Sequence, residues 1–336
     1  MQRLRRRVGD DRGVVAVLVA LLMVPLLGFV ALSVDVSATY AERQQLQNGA
    51  DAAAMAIAQD CAYQDCGEPQ ETAQAFALDN SNDGEAVADV NPIPLPSTGR
   101  VTVTNEGVRE HWFAPVLGVN TTNISTTARA GWGAPTGGIA GLPLVFSWCE
   151  FEIQTGGGIP SSTKEHTINL PKHSGAECNG PSDNPVPGGF GWVDGDIEDG
   201  ELVCNVTSEI GERLSSDPGK NVPCSASELA ALQGKTVLLP IYEDHSETNC
   251  DLRGDDKPTG PDRCKGGNNA WYEVYGYAAF KITGYFFGQK YQWNAPCEQP
   301  EHCIRGYFTK YVDTSSDYEY SPTAPNMGAM VVGLLP

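Results

Sequence analysis

The sequence predicts a membrane-anchored α+β protein. It has a long N-terminal transmembrane helix extended outside the membrane, a small α/β module, and a C-terminal disulfide-rich, mainly β domain. Three observations carry this reading. Val14–Val34 runs roughly 21 residues without a charged side chain, close to the ~20 a helix needs to cross a hydrocarbon core. All ten cysteines follow that run and none precedes it. The chain carries 37 glycines and 23 prolines, nearly all of them after that run, with short alternating apolar stretches between them, a pattern of strands and turns rather than of a helical bundle.

Residues 1–13 form a basic tail with Arg3, Arg5, Arg6, Arg7 and Arg12, offset by Asp10 and Asp11. Such a cluster is held on the cytoplasmic side, so the chain past Asp35 is expected outside. A cleaved secretory signal is the competing reading, with Ala31-Leu32-Ser33 as a small-residue cleavage site. Signal h-regions span about 7–15 residues, however, and this run is longer. Helical patterning also continues through 35–60, with Val36, Tyr40, Leu46, Ala50, Ala53, Ala54 and Ile57 on one pattern. One helix of roughly 45 residues, about 65–70 Å, is therefore expected. Gly49 within it costs about 1 kcal/mol relative to alanine. Asp35-Val36-Ser37-Ala38-Thr39 reads as D-x-S-x-[ST], a metal-site motif of von Willebrand A domains. That motif needs a loop after a strand, and here it lies in a helix, so no metal is expected.

The same segment carries a family signature. An Arg-Gly pair opens the apolar helix, Pro25 lies near its middle, and Val34-Asp35 leads to Leu46-Gln47-Asn48-Gly49-Ala50-Asp51-Ala52-Ala53-Ala54. This resembles the N-terminus of TadG-like proteins of the Tad (Flp pilus, tight adherence) assembly systems, strongly over about residues 12–58. The V-T-V…F-A-P-V-L-G-V…I-S-T-T-A-R-A order near 100–130 is a second point of likeness. The resemblance implies a non-catalytic, membrane-anchored component of a pilus assembly or secretion system in the bacterial plasma membrane. Its implied partners are other Tad/Flp assembly proteins or pseudopilins, besides membrane lipid. Processed pilins of these systems carry Glu at the fifth mature position. Counted from Gly13 that position is Leu18, which speaks against prepilin cleavage and fibre incorporation.

Residues 61–130 read as a small α/β module. A short helix is expected at Glu71–Leu78, a strand at Val101–Asn105, an amphipathic element at Val108–Leu117 and a second strand at Thr122–Ala130. Leu95-Pro96-Ser97-Thr98-Gly99 matches a sortase signal literally. An alternating strand follows it instead of an apolar span and basic tail, so it reads as a turn. Asn120, Asn123 and Asn205 open N-x-[ST] sequons, which carry no meaning in the bacterial setting that the resemblance implies. Residues 131–141 read as a Gly-rich linker, and 142–336 as a disulfide-stapled β domain. Its expected strands are Leu142–Ile153, Thr167–Leu170, Thr236–Tyr242, Trp271–Phe287, Cys303–Val312 and Met330–Leu334. Along Trp271–Tyr285 an apolar face (Val274, Gly276, Ala278, Phe280, Ile282) alternates with a second face bearing Tyr275, Tyr277 and Tyr285. That tyrosine row is a candidate contact surface, unless a second sheet or a loop covers it.

An even number of cysteines on one side of a membrane segment reads as a disulfide framework in an oxidising compartment. Short loops favour Cys61–Cys66, Cys250–Cys264 and Cys297–Cys303. Pairing among Cys149, Cys178, Cys204 and Cys224 stays open. No C-x-x-C pair occurs, so zinc is not expected. The formal charge of −20, from 42 acidic and 22 basic side chains, repels phosphate backbones and argues against a nucleic-acid partner. The acidic runs Asp194–Glu201 and Asp251–Asp262 lack the EF-hand order. There is no G-x-S-x-G elbow, H-E-x-x-H or Walker sequence. His111, His166, His173, His245 and His302 share no recurring carboxylate or serine partner. No catalytic, cofactor-binding or metal site is therefore assigned. A membrane-tethered adhesin or envelope-binding domain sharing only the anchor is the alternative, and a hydrolase with an unrecognised site is a weaker one.

Overall fold

A computed structural model describes residues 12–170, 177–216, 222–246 and 271–336. The chain divides into two compact units. The first comprises residues 1–54, 68–93 and 102–129, and the second 55–67, 94–101 and 130–336.

Helix α1 (Arg12–Ala62) runs 51 residues without a break, about 76 Å at 1.5 Å per residue. Among the described residues it is the one helix long and apolar enough to cross a membrane. Its side chains are exposed from Val15 through Val30, and burial sets in at Asp35, Glu42 and Leu46. In the first unit α2 (Pro69–Asn80) starts on a proline, which supplies the fixed φ and missing N–H that a first turn tolerates. It buries Ala73 and Ala77. The sheet of this unit begins with β1 (Val87–Val90), antiparallel to β2 (Arg100–Glu110), which neighbours the first half of β3 (Thr121–Ala140). The outer edge of β1 does not stay open. Gln70 of α2 donates to the Ala88 carbonyl at 2.7 Å and accepts from Val90 N at 3.0 Å, and Gln74 does the same for Ala86 O and Ala88 N. Side-chain amides thus complete a ladder whose free groups would otherwise invite another strand.

Residues 108–117 correct the expected amphipathic element. They finish β2 and then form a single 3₁₀ turn, Ala114–Leu117, at the tip of the β2–β3 hairpin. Pro115 and Gly118 stop any longer helix there. The stretch 131–141 is likewise no linker, because β3 continues as a strand to Ala140. Its glycines serve close approach rather than flexibility: a Cβ on Gly133 would strike the Ser321–Pro322 backbone, and one on Gly131 would meet the Tyr320 hydroxyl.

The second unit is mainly β. Its largest sheet runs in the order His166–Asn169, Cys303–Thr309, Trp271–Phe286, Thr236–Ser246, β4 (Leu144–Ser147) and Phe190–Trp192. Arg213–Ser215 and Gln292–Trp293 add to the long Trp271–Phe286 strand. Among the described pairings of this sheet, Thr236–Ser246 runs parallel to β4 and the others are antiparallel. The second half of β3 pairs with Val206–Glu209 and Tyr318–Ser321. Leu142–Ile153, expected as one strand, changes type at Ser147. That side chain accepts from Cys149 N and opens α3 (Trp148–Thr155), which ends at Gly156 in the left-handed region. An N-cap serine with a C-terminal glycine overrides β-favouring aromatics over so short a stretch. The Leu95–Gly99 pentapeptide is a 3₁₀ turn, with Gly99 at φ 71° and the Pro96 carbonyl accepting from Trp132 Nε1 at 2.7 Å.

Phe146, Phe280 and Phe308 meet at the centre of the large sheet with ring centroids 4.7–5.5 Å apart. Disulfides join Cys61 to Cys66, Cys149 to Cys178, Cys204 to Cys224 and Cys297 to Cys303. Cys250 and Cys264 lie outside the described residues, as do His173 and the acidic run 251–262. The Cys149–Cys178 bridge closes a loop of 29 residues. Replacing both cysteines by serine is expected to lower stability by about 2–4 kcal/mol. Urea unfolding of the full chain in detergent, followed by near-ultraviolet circular dichroism, checks this.

Candidate contact surface

Two of the three tyrosines expected to form a contact surface are covered. Tyr277 and Tyr285 are buried, and Tyr275 is half-buried, its ring nearly perpendicular to that of Trp148 at 5.3 Å between centroids. Tyr277 donates its hydroxyl to the Ser208 carbonyl at 2.6 Å. Burial, ahead of the Ser208 hydrogen bond that opposes it, lifts its pKa above the usual phenol range. Tyr285 stacks on Phe287 at 5.3 Å. Tyr277 and Tyr285 therefore pack inside the second unit, while Tyr275 keeps part of its surface exposed.

The structure instead concentrates unusual polar chemistry and exposed apolar surface in the first unit, where α1 meets the hairpin. Asp35, which ends the charge-free run, is only 4% exposed. Its Oδ1 accepts from Trp112 N at 3.0 Å, and its Oδ2 from Phe113 N at 2.9 Å and Ala114 N at 2.6 Å. Desolvation pushes this carboxyl up, but the three backbone N–H groups, with the nearby His111, outweigh it and hold the pKa below the usual aspartate value. One turn along, the D-x-S-x-T hydroxyls are used locally: Ser37 donates to Ser33 O and Thr39 to Asp35 O. Both return to carbonyls of their own helix.

Further out, Glu42 pairs with Arg109 of β2 at 3.5 Å, and the Arg109 guanidinium lies 5.4 Å from the Trp112 ring centroid. Desolvation and then neighbouring Asp83 raise the Glu42 pKa against the pull of Arg109. His111 Nε2 sits 2.8 Å from the Thr122 hydroxyl, tying the two strands of the hairpin below its tip.

The L-Q-N-x-A-D-A-A-A tract gains a physical meaning here. The Leu46 carbonyl accepts from buried Asn105 Nδ2 at 3.1 Å, and Gln47 reaches both Asp51 at 2.9 Å and the Thr127 carbonyl at 3.4 Å. An added Cβ on Gly49 would stand 3.0–3.2 Å from Asn105 Nδ2, Phe76 O and Asn80 Cβ, so glycine lets α1 approach β2 and α2. Ala50, Ala53 and Ala54 are fully buried. The tract is the helix surface on which the first unit packs.

Beyond Asp35 the hairpin tip Trp112–Val119 is apolar throughout, yet Trp112, Val116 and Leu117 are 68%, 89% and 68% exposed. Phe113, Val116 and Leu117 share a groove of about 360 Å³ with Pro25, Gly28, Phe29, Ala31 and Leu32 of α1. Sequence patterning treats these residues as one face of an amphipathic element. The informative signal was the absence of any charge across eight residues joining two strands. Among the described residues no cluster of three or more His, Cys, Asp or Glu side chains is placed to hold a metal ion.

These features define a chain in which one helix, long and apolar enough to cross a membrane, leads into a mainly β, disulfide-bonded part. Residues 13–60 match the model of the Tad family, Flp pilus-assembly TadE/G-like proteins, so this segment is similar to a TadE/G-like N-terminal domain. No curated protein and no solved structure matches the chain.

Proposed function

We propose that the chain is a non-catalytic component of a Tad/Flp-type pilus assembly or secretion system. It crosses the bacterial plasma membrane once, with its N-terminus in the cytoplasm, and acts by protein–protein contact through the part after Asp35. The observation that carries the reading is a coincidence of positions. The Tad match, residues 13–60, falls on α1, the helix long and apolar enough to span a bilayer. The arginine cluster before the helix supports the orientation, and the disulfides after it suit an oxidising compartment.

Partners are other Tad assembly proteins or pseudopilins. Leu21, Val24 and Leu27 of α1 are more than half exposed within the first unit, which leaves helix surface for packing against neighbouring membrane helices. Deleting the gene is expected to abolish surface pili in electron micrographs, with recovery on complementation. Normal pili accompanied by lost surface attachment would overturn the assembly role and favour a tethered adhesin.

A further inference from the structure

The groove between Pro25–Leu32 of α1 and the hairpin tip lies beside the charge-free run of the helix. The tip shares that groove with Pro25 and Phe29, while its backbone is held by Asp35, the residue that closes the run. Phe29 lies six residues before Asp35, about 9 Å along the axis at 1.5 Å per residue.

Two arrangements are open. If the tip stayed in water, the hydrocarbon would have to end below Pro25. Only Val14–Val24 would then remain to cross it, about 11 residues or roughly 16 Å against a core of ~30 Å. If the tip enters the bilayer, Val14–Val34 supplies roughly 31 Å and the lengths agree. We propose that residues 112–119, the tip of the β2–β3 hairpin, insert among the lipid acyl chains of the leaflet on the Asp35 side, alongside Pro25–Leu32 of α1.

The tip is built for that environment. Its side chains, Trp-Phe-Ala-Pro-Val-Leu-Gly-Val, carry no charge, and the first charged neighbour is Glu110. Non-helical backbone enters lipid only when its polar groups are satisfied from within the protein. The Asp35 carboxylate takes the amides of Trp112, Phe113 and Ala114. Val116, Gly118 and Val119 donate to the carbonyls of Phe113, Pro115 and Ala114 at 3.0–3.2 Å, and Pro115 has no amide proton to satisfy. Trp112, at the root of the inserted segment beside Arg109, lies at the boundary between acyl chains and headgroups, where tryptophan collects. The hairpin is thereby a second membrane contact, which fixes how deep α1 sits and stops it from turning freely about its axis.

The proposal rests on α1 spanning the bilayer, and the test reads the two separately. The full-length protein is reconstituted in phosphatidylcholine–phosphatidylglycerol vesicles with a small fluorescent amino acid at Leu21, at Val116 or at Asn82, an exposed loop residue of the same unit. Val116 packs so little that its replacement leaves folding intact. Expected at both Leu21 and Val116 is quenching by nitroxide on the acyl chains, with about a tenfold loss of aqueous iodide quenching relative to Asn82, because the hydrocarbon excludes water. A shielded Leu21 with a Val116 open to iodide would overturn the inserted tip alone, leaving it to a protein partner. Iodide access at both would overturn the spanning helix as well. A photo-cross-linker at Val116 should yield lipid adducts, and a predominance of cross-linked dimers would assign the groove to a second copy and sink the proposal.

Discussion

Replacing Asp35 by alanine is expected to free the hairpin tip from α1, with the largest local effect of any single change in the first unit. The carboxylate holds three backbone amides at 2.6–3.0 Å, and nothing else on α1 reaches them. Hydrogen bonds to a charged acceptor are stronger than neutral ones, and buried donors left without a partner bear the full desolvation penalty. Amide exchange at Trp112–Ala114 should accelerate by about tenfold to a hundredfold in the variant, and proteolysis should open the same loop. An asparagine retains one carbonyl acceptor and should fall between alanine and the wild type. Unchanged exchange at these three amides in the alanine variant would show that the loop holds itself.

Acid should imitate the alanine variant, and the sign follows from the direction of the shift. Because the folded pKa of Asp35 lies below its ordinary value of 3.8, the stability it contributes is present above 3.8 and is lost as pH falls through the folded value. Glu42 works the other way. Its pKa is raised from 4.5, so its contribution is complete below 4.5 and declines as pH rises through the folded value. Protection of Trp112–Ala114, measured against the intrinsic exchange rate at each pH, should therefore fall below pH 3.8 in the wild type and stay level there in the Asp35→Ala variant.

The second large effect belongs to the other unit. Phe280 is fully buried, 4.7 Å from Phe146 and 5.1 Å from Phe308 between ring centroids. Phe280→Ala is expected to destabilise that unit by about 3–5 kcal/mol, the lost transfer energy together with the cavity that a close-packed sheet cannot collapse. Phe280→Leu keeps most of the volume and should lose less. Ile197→Ala, at a position 71% exposed, should be nearly silent. Shifts in the urea midpoint of the near-ultraviolet signal rank the three variants, and equal midpoints for Phe280→Ala and Ile197→Ala would show that the aromatic centre is not what holds the unit.

Much of the architecture was legible because it depends on local pattern. A charge-free run of roughly 21 residues can satisfy its backbone in lipid only as a helix. The L-Q-N-x-A-D-A-A-A tract matched a family before its role as a packing face could be known. What misled were features whose meaning depends on neighbours distant in sequence. Gly131–Gly138 has the composition of a linker, but Ser321, Pro322 and Tyr320 lie against it, and glycine in a strand then means close approach. Tyr275, Tyr277 and Tyr285 alternate as an exposed row would, and only the layer over them decides that Tyr277 and Tyr285 are covered.

The α1–hairpin junction divides along the same line. The sequence by itself determined an apolar run ending at Asp35 within a longer helix, and its Arg flank; it read the residues of the hairpin tip only as part of an amphipathic element. The run and its flank are written in consecutive residues, where charge and periodicity suffice. Only the tertiary structure decided that Asp35 and Trp112–Ala114 meet, because they stand 77–79 positions apart, and hydrophobic pattern does not say which carboxylate will answer which amides. That meeting turns the residue that ends the membrane run into the one that holds a second apolar element beside it.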